Sequence, residues 1–396
     1  MPTPSLEAFG DYTQGNYDLY QFRGGVYREG GSYFRYVGLN LVPFLWHYRN
    51  VSGVDLFPYY REAFEWPVLV RTARGWMPNL EDGYLQPFPA HLIAPAYART
   101  PTRLHPTAPL AEVLQWHAFA STALPDAYAG PLNHALEDLD AYLLYDPDLA
   151  RTPAAGPPTV RLEGGQVVFR SGWAAAEGAY LLFHGVPAGD NHDHPDHLAY
   201  VAAARGALLV PDAGYGPDGA ADDRRAWYTS PQAHATITVD DAPLANAAPG
   251  EAGPEDVHFL DAPGFALAEK RAAASGPAGG DVRRGVAFVD GRYWVVYDDV
   301  RAGAAVPVRL YLHGRGALAH EANRMTYRMT WTSPADAYGD AARLHAYVAT
   351  TQPAVLAPHE GWTSLVPGHE EPRAYVEVEQ PGPRAGFLHL LYPAGL

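Results

Sequence analysis

Apolar positions change their spacing once along the chain, near residue 150. Before that point they recur at helical intervals. The stretch Tyr33–Tyr48 (YFRYVGLNLVPFLWHY) is apolar at such intervals, with interruptions at Gly38 and Pro43. Leu110–Thr122 sets Leu110, Val113, Leu114 and His117 on one helical face. Pro131–Tyr145 opens with proline at a first helical position and carries Leu132, Leu136, Leu139 and Leu143 at helical spacing. Between these runs lie proline-rich stretches such as Leu85–Arg103, which read as irregular connections.

Thr152–Pro158 (TPAAGPP) breaks the pattern and reads as a linker. After it the apolar period shortens to that of strands. Val160–Phe169, Tyr180–Phe183, Leu198–Val210 and Thr236–Val239 are expected strands. Val286–Asp298 reads as a hairpin closed by a two-residue turn at Asp290-Gly291. Further strands are expected at Val308–Leu312, Met325–Trp331, His345–Ala349, Ala374–Val378 and Phe387–Leu391, with Ala247–Gly253 a surface loop. Short strands with no helices between them predict a β-sandwich. The organisation expected is a helical region over 1–150, a linker over 151–158 and a sandwich over 159–396.

Composition narrows the function. Of 396 residues, 47% are hydrophobic and 18% charged, which suits a globular chain rather than a disordered one. Abundant glycine and proline (39 and 37) argue for many turns and against a simple helical bundle. Aromatic residues at 12% suit both a sandwich core and a sugar-binding cleft. With 28 basic against 44 acidic residues, the net charge of −16 excludes a broad nucleic-acid footprint. It also argues against a wide groove for a heavily sulfated polyanion. Cysteine is absent, which excludes disulfides and thiolate chemistry. No apolar run is long enough for a membrane span, and the first residues lack the pattern of an export signal.

One cluster among the 17 histidines stands out: residues 189–200 read GDNHDHPDHLAY. His192 and His194, two apart, share a face in extended chain. Asp212 ends the apolar run Leu208-Leu209-Val210-Pro211, and His234 opens the next strand. Two histidines and an aspartate make a three-ligand zinc site with a fourth position for water; the alternative is a polar loop with no ion. A cupin site needs a glutamate shortly after the His-x-His pair, and none is present.

In order along the chain, His192-x-His194-x-Asp196-x-Leu198, Asp212-x-Gly214 and Ser230-x-x-Ala233-His234-x-Thr236 resemble the signature of the heparinase II/III-like polysaccharide lyases. The resemblance covers roughly residues 160–315 and includes the strand pair Arg284–Val300. Upstream, Arg28–Tyr36 is similar to the family's Glu-Gly-x-x-Tyr-x-x-Tyr helix start, and Trp76–Gly83 to a later toroid loop. It implies an α+β, multidomain fold: a partial α/α toroid followed by an antiparallel β-sandwich, with the cleft between them.

The resemblance also implies an activity: β-elimination on a uronate-containing polysaccharide or oligosaccharide. That reaction removes a proton alpha to a carboxylate, and so needs a base, an acid and a neutralised carboxylate. By position, His192 matches the catalytic histidine, and Tyr33 or Tyr36 the catalytic tyrosine, with Tyr33 preferred. His194, Asp212 and His234 match ligands of a zinc ion whose role is structural. Arg225 and Tyr228 are weaker candidates for substrate contact. Two departures stand against the pattern. The carboxylate-neutralising residue would fall before Met1, so the toroid reads as truncated, with Asn16, Gln21 or Arg35 as substitutes. Ala235 stands where the family has asparagine. Relatives are periplasmic or secreted, although no leader is visible here. The competing expectations are a non-catalytic carbohydrate-binding protein, a cleft completed by a partner or by a second copy in a homo-oligomer, and a metal-assisted hydrolase.

Overall fold

The computed structural model describes residues 25–122, 143–173, 178–186, 192–217, 222–245 and 253–395. Most of the expected helix at Pro131–Tyr145, most of the expected loop at Ala247–Gly253, and both Asn16 and Gln21 lie outside the described residues.

Helices come first. Helix α1 (Gly30–Ser52) buries Phe34, Gly38, Val42 and Leu45 along one stripe. Phe34 packs on Trp66 and Phe88, with ring centroids 5.2 and 4.9 Å apart. Gly38 and Pro43 do not break α1. A side chain at Gly38 would sit 3.4 Å from the Phe88 ring, so glycine there admits a close neighbour. Helix α2 (Arg61–Val70) was not expected from the sequence. Its residues Ala63–Val70 are all buried, Glu65 included, and among its ten residues Arg61 and Glu62 alone reach solvent. Helix α3 (Leu110–Phe119) lies where the pattern put it. The proline-rich stretch between α2 and α3 carries two short 3-10 turns, Ala90–Leu92 and Ala94–Tyr97.

The expected linker is pinned rather than free: the amides of Ala155 and Gly156 both donate to the Leu104 carbonyl at 2.8 Å.

Among the described residues seventeen strands follow, in three antiparallel sheets. The first has the order β1-β2-β3-β4-β5 and comprises Val160–Arg161, Val167–Arg170, Tyr180–Phe183, Tyr200–Ala204 and Ala207–Val210. Its alternate residues serve two cores. Phe169, Leu181, Phe183, Ala202 and Leu209 face the sandwich core. Val168, Tyr180, Leu182, Val201 and Leu208 join the helical core. Buried on both faces, these strands read as unbroken apolar runs.

The second sheet has eight strands, ordered β12-β13-β14-β17-β10-β9-β8-β7. They are β7 (Glu255–Ala262), β8 (Phe265–Ala273), β9 (Gly280–Val289), β10 (Tyr293–Ala302), β12 (Ala317–Ala322), β13 (Thr326–Ser333), β14 (Ala342–Thr350) and β17 (Arg384–Gly395). The third is ordered β15-β16-β11-β6, with β6 (Ile237–Val239), β11 (Pro307–His313), β15 (Val355–Val366) and β16 (His369–Pro381). One sandwich core collects Val296, Val300, Leu344, Val348, Leu310, Val376 and Phe387 from the second and third sheets. The fold is therefore the expected one in class, helices followed by an antiparallel sandwich.

Two details differ. Several strands run longer than expected, because chain beyond the buried positions still pairs. The hairpin turn does hold Asp290 and Gly291 at positive φ (50° and 66°). Arg292 adds an extra residue, however, so the ladder resumes at Val289 opposite Tyr293.

Candidate functional site

The candidate residues meet where the helical region abuts the sandwich. Five segments supply them: the start of α1, the loop Asn79–Tyr84, the segment leading into β4, the segment after β5, and helix α4 (Asp222–Tyr228) with the turn before β6. The loop laces the others together. The Asp82 amide donates to the His192 carbonyl at 3.2 Å, and the Tyr215 amide to the Gly83 carbonyl at 3.2 Å. Asn79 donates through Nδ2 to the Asp212 carbonyl at 2.9 Å.

Asp82 is the hub, and sequence reasoning missed it. Its Oδ2 lies 2.9 Å from His192 Nδ1 and accepts from Arg225 Nη2 at 2.6 Å. Its Oδ1 lies 2.9 Å from His194 Nε2. Burial pushes the Asp82 carboxyl up, but His194, Arg225 and His192 outweigh it, and the group sits below the ordinary carboxylate range. An ionised carboxylate only accepts hydrogen bonds. His192 therefore donates from Nδ1, which leaves the Nε2 lone pair available. His194 donates from Nε2, which leaves the Nδ1 lone pair free. That Nδ1 is buried without a hydrogen-bond partner.

The free Nδ1 belongs to a group with ligand-metal spacing. The donor atoms of His194, Asp212 and His234 lie within 4.8 Å of one another, and all three residues are buried. His234 Nε2 donates to the Tyr228 carbonyl at 3.1 Å. Its Nδ1 faces Asp212 Oδ2 at 2.7 Å. A lone pair there would oppose a carboxylate oxygen, so the contact needs a cation between the two atoms or a proton on Nδ1. His234 is held above the ordinary histidine range, which speaks for the proton rather than for the cation. Burial opposes the shift, and Asp212 overrides burial. The donor set of two imidazoles and one carboxylate fits a divalent ion of the zinc type.

A second close trio, Glu81, His184 and Asp196, has similar spacing. Its hydrogen bonds point elsewhere. Trp66 Nε1 donates to Gln166 Oε1 at 2.8 Å, which turns the Gln166 amide nitrogen toward His184 Nδ1 at 3.4 Å. His184 Nε2 then carries the proton, 2.8 Å from Glu81 Oε1. Glu81 Oε2 accepts the His194 amide at 2.7 Å. Through that bond Glu81 supports the His194 backbone, while Glu81 Oε1 and both Asp196 oxygens are buried without a hydrogen-bond partner. Burial and neighbouring carboxylates raise both Glu81 and Asp196 well above the ordinary carboxylate range.

Of the two tyrosine candidates, Tyr33 joins the group and Tyr36 does not. The Tyr33 ring stacks on His192 with centroids 3.5 Å apart and planes 17° apart. Its hydroxyl is 3.1 Å from that of Tyr215, a second residue the sequence reading missed. Burial, then the Tyr215 hydroxyl, pushes the Tyr33 phenol above its ordinary value. Tyr36 is 63% exposed and touches the site only through an edge contact with Tyr33.

Arg225 lies beside His192, its guanidinium 4.8 Å from the centre of the Tyr215 ring and one amino group on Asp82. Tyr228 has a different place from the expected substrate contact. Its ring is buried under Gly216, and its main-chain carbonyl orients His234. Arg35 lies two residues along α1 from Tyr33 and lines a crevice with Gly38, Val42 and Phe88, so it does not join His192.

Comparison with known proteins follows this geometry. The family model described as heparinase II/III-like, C-terminal, matches residues 156–385. A heparin-sulfate lyase of Pedobacter heparinus is 26% identical over 235 residues, which make up 58% of this chain and 34% of that protein. A solved heparinase III gene product with methylated lysines superposes with a TM-score of 0.70 at 16% identity, covering 96% of this chain and 53% of that one. A mutant heparan sulfate lyase from Pedobacter heparinus gives 0.68 at 17% identity, over 95% of this chain and 54% of that one. The chain spans about a third of the curated relative and about half of each solved structure. At these identities the structural likeness is one of fold.

Proposed function

The chain belongs to the heparinase II/III-like family, and from that premise we propose that it is a polysaccharide lyase that cleaves a uronate-containing glycan by β-elimination. The observation that carries the reading is Tyr33 stacked on His192, with Asp82 holding the imidazole from behind. His192 takes the proton at C5 of the uronate through Nε2. Tyr33, whose raised pKa keeps its proton through the neutral range, gives that proton to the leaving oxygen at C4. Arg225, part-exposed and held by Asp82, pairs with the substrate carboxylate and offsets the charge that builds as C5 loses its proton.

His194, Asp212 and His234 would hold a zinc ion, which would tie the three loops together as a structural centre. The substrate class includes the heparan-type chains named for the relative and alginate-like chains. The test is incubation with a panel of both, following unsaturated product by ultraviolet absorbance. His192→Ala and Tyr33→Phe should each lower the rate by at least ~100-fold. Saturated reducing ends would point instead to hydrolysis, and saccharide binding without product would point to a binding protein.

A further inference from the structure

Two buried arginines reach the loops that carry the candidate ligands, and both do so through backbone carbonyls. Arg373, on β16, is 1% exposed. Its Nη1 donates to the Pro211 carbonyl at 2.6 Å, and its Nη2 to the Ala233 carbonyl. Pro211 directly precedes Asp212, and Ala233 directly precedes His234. Arg284, on β9, is fully buried. Its Nη1 donates to the carbonyls of Leu198 and Ala235 at 2.8 and 2.7 Å. Ala235 directly follows His234, and Leu198 lies in the turn closed by the Ala199 amide on the Asp196 carbonyl, just after His194. Leu198 sits at φ 63°, a conformation a leucine holds only where its surroundings impose it. Arg284 is itself fixed by Asp298, its cross-strand partner on β10, through bonds of 2.6 and 3.3 Å.

We infer that Arg373 and Arg284 are positioning residues for the metal centre, a clamp that sets the spacing of the Asp212 and His234 segments from the rigid sheet behind them. The inference rests on the metal reading above. Neither guanidinium is a ligand. Arg373 spans its two carbonyls with two nitrogens, and Arg284 serves both of its carbonyls with Nη1 while Nε and Nη2 hold Asp298, tasks for a planar array of fixed donors rather than for the point charge of lysine. Arg373 bridges the two ligand segments directly, so their separation follows the width of its guanidinium. Arg284 holds His234 from its other side and ties it to the turn after His194. Burial lowers Arg373 to about 10, so it remains a cation at neutral pH.

The experiment compares the zinc affinity of the full chain, by competition with a chelator, with its melting temperature in excess chelator. Arg373→Lys should weaken zinc binding by about 10–100-fold, the range for groups that orient ligands. The control is Arg170→Lys. Arg170 is equally buried and binds the carbonyls of Leu69 and Arg71, away from the ligand loops. That variant should melt lower in chelator yet bind zinc as the unaltered chain does. Zinc affinity unchanged in Arg373→Lys, or reduced only as far as in Arg170→Lys, would overturn the clamp. Should Arg373→Lys not fold, Arg284→Lys decides by the same comparison. An unaltered chain that takes up no zinc overturns the metal reading itself, and no variant is needed to see that.

Discussion

Asp82 makes one carboxylate serve three cations or proton donors, and its charge matters more than its shape. Asp82→Asn keeps the volume but supplies an amide that can donate. His192 and His194 could then adopt the other tautomer, and Arg225 would lose its counter-charge. Lyase rate should fall by roughly 100-fold or more, and zinc affinity by about 10-fold. Rate assays and elemental analysis on the same preparation check both. A variant with full activity would remove Asp82 from the mechanism. Its role was not legible beforehand: Asp82 lies in the run Trp76–Gly83 that resembles a toroid loop, but it stands 110 positions from His192 and nothing in that run says what its carboxylate meets. The histidines were legible because their spacing is short and their chemistry is narrow.

At the scale of elements, the ligand-bearing loops depend on close backbone approach. Gly214 has φ 77°, and a side chain there would lie 2.5 Å from the Ser364 carbonyl and 2.7 Å from that of Gly83. Gly214→Ala should therefore cost at least about 1–2 kcal/mol in urea denaturation and weaken zinc binding, since the Gly214 amide also donates to Asp212 Oδ1. Strands such as β10 and β14 were readable because one face is buried and the other is not. The edge strands β7 and β12 were missed for the opposite reason: they are exposed over most of their length. Helix α2 was missed because Ala63–Val70 are all buried. Periodicity reports a contrast between two faces, and it is silent where there is none.

Two predictions concern the whole molecule. If the proposed zinc site is filled, stripping it with a chelator should lower the melting temperature by roughly 5 °C relative to zinc well above Kd, because an ion held by His194, Asp212 and His234 would bind only the folded arrangement. Alkaline stability has a definite sign. Burial raises the phenols of Tyr97, Tyr180 and Tyr200 above their ordinary value of about 10. The folded chain thus keeps protons that the unfolded chain releases. Stability from these groups is complete below that value and is lost as pH rises through and beyond it. Urea midpoints measured between about pH 9 and pH 11 should fall steadily. A flat profile would contradict the burial of these rings.

The order of helices then strands, the apolar runs of the first sheet, and the candidate ligands His194, Asp212 and His234 could all be read along the chain. The first two are patterns that local spacing carries, whereas the ligand set came from motifs spread along the chain and their resemblance to a family signature. The stacking of Tyr33 on His192, the role of Tyr228 as a backbone acceptor, the hub at Asp82 and the reach of Arg373 came only with folding. They depend on which atoms meet across turns of chain far apart in sequence. A hydrogen's place on an imidazole is set by its neighbour in space, and no neighbour in sequence can specify it.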